Sequence, residues 1–95
     1  MGFEEEFIKH ACEQVLRFTN VKKWDNLSEE IKVQLGFNMG VVALGLKLSK
    51  EEGFLVFLKM QKGEISMQDF RENVKNLVSL HKIEVDELKV MRPFS

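Results

Sequence analysis

Residues 28–48 read Ser28-Glu29-Glu30-Ile31-Lys32-Val33-Gln34-Leu35-Gly36-Phe37-Asn38-Met39-Gly40-Val41-Val42-Ala43-Leu44-Gly45-Leu46-Lys47-Leu48. Wound as a helix, this stretch carries two apolar stripes. Ile31, Leu35, Met39, Val42 and Leu46 form one, and Val33, Phe37, Val41, Leu44 and Leu48 form the other. A helix with two apolar stripes is expected to be buried on most of its circumference. The reading is therefore the central helix of a bundle. Ser28 or Asn26 can cap it, and Asn26 with Glu29 makes a box-like N-x-x-E. Gly36, Gly40 and Gly45 each cost about 1 kcal/mol against alanine inside a helix. A neighbouring helix packed close is the expected compensation, which makes these glycines packing positions.

The segments on either side are helical too. Over about 3–19, Phe3, Phe7, Ile8, Ala11, Val15 and Phe18 recur at helical spacing. Glu4, Glu5 and Glu6 sit in the first turn, where the helix dipole favours negative charge. Thr19-Asn20 reads as the end, and residues 20–27 as a linker containing Trp24. Ser49 with Glu52 makes a capping box that predicts a third helix over about 50–61, ended by Gly63 in the left-handed conformation. Ser66 opens a fourth helix, about 67–81, with Phe70, Val74, Leu77, Val78 and His81 on one face. A short fifth, about 84–91, offers Val85, Leu88 and Met91. The tail, Arg92 to Ser95, is expected to be loose.

The whole chain of 95 residues is long enough for one core and not for two, so residues 1–95 read as a single helical domain. Its fold class is all-α: four main helices and a short C-terminal one around the helix near 28–48. The net charge is −1, with 31% charged and 44% hydrophobic residues, the balance of a folded soluble domain. No apolar run is long enough for a transmembrane helix, and the acidic start is unlike a signal peptide. One cysteine, Cys12, allows no intrachain disulfide and fits a reducing cytosol.

Four patterns resemble chemistry and fall short of it. Lys62-Gly63-Glu64-Ile65-Ser66-Met67-Gln68-Asp69 looks like the second half of a calcium-binding EF-hand loop. The ligand positions before it are Leu58, Met60 and Lys62, which supply no side-chain oxygen. Residues 32–51 align with a DNA-reading helix-turn-helix, with Gly40 at the turn. Its second helix would offer base edges almost nothing but Lys47 and Lys50. Glu6, His10 and Glu13 share a helix face and could approach a metal, but no second such set exists, and a solvated face explains them. Cys12 lies about 200° round the helix from His10, out of reach of that base. Catalysis, cofactors and metals are accordingly not expected.

What remains is surplus apolar surface. Phe54-Leu55-Val56-Phe57-Leu58 covers more than a full turn, and no single neighbour can shield it. Phe54, Leu55 and Leu58 have the better core spacing. Val56, Phe57 and Met60 are therefore the expected protein-interaction residues, for a second copy or another protein, unless the fifth helix and Phe94 fold back over them. The expected function is a small cytosolic helical interaction module, a regulator or adaptor without catalysis. Two alternatives are a small nucleic-acid-associated regulator, contacting phosphates through Arg17, Lys22, Lys23 and Lys32, and a binder of small hydrophobic ligands. Nucleic acid is the lesser expectation, because no basic block exists.

Overall fold

The computed structural model describes residues 3–91, and the expected tail and Phe94 lie outside them. The chain is all-α. Four main helices, α1 (Phe3–Phe18), α2 (Glu29–Gly45), α3 (Phe54–Gln61) and α4 (Met67–Leu80), are followed by the short α5 (Glu87–Met91). A single 3-10 turn, Trp24–Asn26, interrupts the linker before α2.

The helix starts follow side-chain capping. Ser28, not Asn26, caps α2, and its hydroxyl accepts from the Ile31 N–H at 3.3 Å. Ser66 caps α4 in the same way, accepting from the Asp69 N–H at 3.0 Å. The Ser49–Glu52 box forms as the sequence implies. The Glu52 carboxylate accepts from the Ser49 hydroxyl at 2.9 Å and from its N–H at 3.2 Å. The box closes a turn rather than opening α3, which begins only at Phe54 behind Gly53. Gly53 is pressed against α2: a Cβ there would lie 3.1 Å from the Ala43 Cβ.

Three helices end alike. After α2, α3 and α4 the chain turns through the left-handed region at Lys47 (φ 56°), Gly63 (φ 78°) and Lys82 (φ 56°). Each turn is closed by a pair of backbone bonds onto the last carbonyls. For α2 these run from Leu48 N–H to Ala43 O and from Lys47 N–H to Leu44 O. For α4 they run from Ile83 N–H to Val78 O and from Lys82 N–H to Ser79 O. Gly63 meets the expectation from sequence. The two lysines do not resemble the usual glycine, and they hold that backbone at a steric cost.

α1 packs along α2 on one side and against α4 and α5 on the other. That two-sided contact buries Cys12 and Leu16 beside Ala11, Val15 and Phe18. α3 bridges α2 and α4. The core is drawn from all five helices, with Leu35, Met39 and Val42 of α2 and Phe70 and Val74 of α4 fully enclosed. Glu13 is buried with them. Its carboxylate accepts from the Asp86 N–H at 2.7 Å and stands 3.9 Å from the Lys89 ammonium, tying the segment that starts α5 to α1. Of the expected face, Val85 packs half-buried against the core, but in α5 it is Val90 that turns inward while Leu88 and Met91 are exposed.

The glycines of α2 divide. A Cβ on Gly45 would lie 2.5 Å from the Ile8 Cγ1, so Gly45 is a close-packed position. A Cβ on Gly36 would meet the Phe57 ring at an ordinary 3.8 Å. Nothing lies within 4 Å at Gly40, which corrects the expectation that it too is packed. Gly45→Ala should destabilise the fold by about 1–3 kcal/mol through the forced shift of Ile8. Gly40→Ala should stabilise it by ~0.5–1 kcal/mol through backbone entropy. Thermal melts of dilute protein check both, at roughly 4–8 °C per kcal/mol for a domain of this size. A lowered melting point for Gly40→Ala would contradict an open face there.

The left-handed lysines yield a second expectation. Lys82→Gly removes the Cβ that penalises this backbone and should stabilise by ~1 kcal/mol. A melting point that falls instead would mean that the lysine side chain, rather than its backbone, sets the cost at this corner.

Candidate protein-docking face

α2 presents one apolar stripe to the core, and of the other it turns Val33, Phe37 and Leu44 to solvent while Val41 and Leu48 are half-buried. Val33 is 72% exposed, Phe37 67% and Leu44 77%. With Gly40 they follow spacings of 4, 3 and 4, so they share one face. α1 borders that face on one side. Phe7, 47% exposed, helps line a groove of about 390 Å³ with Ile8, Val41 and Leu44, rimmed by Glu4 and Lys47. The same Phe7 ring lines a neighbouring cleft with Phe37, Gln34 and Asn38. The shared ring joins Phe7, Phe37, Val41 and Leu44 into one surface. At the ~150–250 Å² that a large apolar side chain carries, these fractions leave on the order of 500 Å² of apolar area in view of water. A patch of that size is at the upper end of what a monomer exposes and is often functional. The second stripe was read from the sequence as buried. Its exposure follows from the number of neighbours, since among the described residues α1 and α3 are the helices that pack substantially on α2.

The expected face on α3 is inverted. Phe57 and Met60 are 7% and 2% exposed and Val56 is half-buried, so these residues face the core and are not a docking surface. Phe54, Leu55 and Leu58, expected inward, point outward. The cause is an aromatic contact that a run of five apolar residues cannot encode by its periodicity. The Phe57 ring meets Trp24 edge-on with centroids 5.8 Å apart, and lies 5.7 Å from Phe70. Trp24, read from the sequence as part of a linker, is thereby a member of a three-ring cluster.

The candidates for other chemistry are dispersed. The EF-hand-like segment is the C-terminal end of α3, Gly63 and the Ser66 cap, with Leu58 and Met60 inside the helix. The helix-turn-helix alignment fails because α2 runs unbroken through Gly40. Of the metal-like trio, Glu6 and His10 are exposed while Glu13 is committed to Asp86, which corrects the solvated-face reading of Glu13. Among the described residues no group of three or more His, Cys, Asp or Glu could hold a metal ion. Lys22 and Lys23 are exposed, but Lys32 pairs with Glu29 at 3.4 Å and lies 5.5 Å from the centre of the Trp24 ring. Arg17 is half-buried. Among the described residues no helix is long and apolar enough to cross a membrane.

Cys12 is fully enclosed, and burial, with the neighbouring Glu13 charge as a lesser cause, pushes its thiol up to about 12. His81, at the C-terminal cap of α4, is exposed and stands apart from it. The chain matches no family model, and comparisons with curated proteins and with solved structures found no match. The enclosed thiol gives a direct check on the packing of α1. At about pH 8 the native protein should be silent to a thiol-selective reagent, because only the thiolate reacts. It should react at once in denaturant. Fast labelling of the native chain would mean that α1 does not pack as described.

Proposed function

We propose that the chain is a small, non-catalytic helical interaction module of the cytoplasm, which acts by docking another protein surface on the outer face of α2. The observation that carries this reading is the patch formed by exposed Phe7, Phe37 and Leu44 with half-buried Val41 at its base. An aromatic and aliphatic centre with a polar edge is the composition expected of a protein-binding surface. Gln34, Asn38, Glu4 and Lys47 supply that edge. The non-catalytic part of the reading is supported by the thiol held protonated in the core. The cytoplasmic part is supported by the single reduced cysteine.

Phe37→Glu tests the reading. The site is exposed, so the variant should keep its helicity and its melting point within about 0.5 kcal/mol of the parent. It should lose whatever binding the parent chain shows, to itself or to another protein, by about tenfold or more, as expected for a central aromatic. Binding unchanged by Phe37→Glu, measured with the purified components, would remove the α2 face as the docking surface.

A further inference from the structure

The outer face of α2 is self-complementary in a way that points to its occupant. We propose that it docks a second copy of this chain, with the two α2 helices antiparallel across a twofold axis near residues 38 and 39. This rests on reading the α2 face as a docking surface, and adds the partner and the register.

Three observations support that register. The first is size. In an antiparallel pair centred there, Phe37 of one copy falls opposite Gly40 of the other, where the space is empty within 4 Å in the single chain. Val33 then meets Leu44, so all the exposed apolar residues of the stripe find a counterpart. The second is charge. α2 begins with exposed Glu29 and Glu30, and exposed Lys47 follows its end. An antiparallel pair brings the acidic start of each α2 towards the basic exit of the other, and antiparallel helices also oppose their dipoles favourably. A parallel pair would set glutamate on glutamate and lysine on lysine. The third is area. A stable interface takes about 800 Å² per partner, of which roughly two thirds is apolar in homodimers. The ~500 Å² of exposed apolar surface around this stripe is the amount such an interface needs. A twofold interface is also the commonest symmetry of soluble oligomers, and it requires the self-complementarity seen here.

Sedimentation equilibrium of the full chain, up to roughly 200 µM protomer, tests the association, since a dimer must respond to concentration. The parent should be a concentration-dependent dimer, and Phe37→Glu a monomer with unchanged far-ultraviolet circular dichroism. Gly40→Leu separates packing from folding. It fills the space opposite Phe37, so it should weaken the dimer by about tenfold while the monomer's melting point holds or rises. Register is read by disulfide trapping with Val33→Cys and Leu44→Cys, because the buried Cys12 does not compete. The two variants mixed should form a covalent dimer under mild oxidation, and neither should do so alone. A Val33→Cys chain that crosslinks to itself would overturn the antiparallel register. A parent that stays monomeric throughout would overturn self-association. In that case a different protein bound by the parent and lost with Phe37→Glu would leave the docking reading standing. Loss of neither would end both.

Discussion

The fold turns on one constraint, the number of neighbours available to α2. Apolar side chains run almost round its circumference, so it needs a partner on every side to be covered. Within the described residues it has two, α1 and α3. Leu35, Met39, Val42 and Ala43 are enclosed between them, and Val33, Phe37 and Leu44 are left outside. Folding is secured by the first set. Hiding the second from water is worth ~25 cal/mol per Å², which the monomer alone does not gain. That ungained free energy is available to an association.

The rest of the structure is organised so that two neighbours suffice. α1 is buried on two sides and holds α2 and the α4–α5 end together, with Glu13 joining α5 through the Asp86 N–H. A carboxylate is costly to enclose without a partner, and this one has a short bond to a backbone donor and a nearby ammonium. α3 has only eight residues and would be marginal alone. It is held by Phe57 between Trp24 and Phe70, and by Gly53 seated on Ala43. The left-handed corners at Lys47, Gly63 and Lys82 set the exit directions that bring successive helices back onto the core.

Much of this was legible in the residues. Helix identity followed from periodicity, and the Ser28, Ser66 and Gly63 boundaries from capping chemistry. The apolar face of α4 was read almost whole, His81 excepted. Sidedness was harder wherever the pattern was saturated. Phe54 to Leu58 are all apolar, so spacing could not say that Phe57 faces the core; a contact with Trp24, more than thirty residues earlier in sequence, decides it. The second stripe of α2 was visible, but whether it is covered depends on how many helices reach it, a property of the whole assembly. The glycines showed the same limit. Gly40 and Gly45 are equivalent in sequence, and only the position of Ile8 makes one crowded and leaves the other open.

α2 turns Phe37 and Leu44 outward while α3 turns Phe57 and Met60 inward. Paramagnetic relaxation by a soluble, non-binding agent reads this residue by residue in dilute protein. The Phe37 and Leu44 side-chain signals should broaden strongly, with those of Phe57 and Met60 protected. Protection of Phe37 and Leu44 in dilute monomer, or broadening of Phe57 and Met60, would contradict this arrangement.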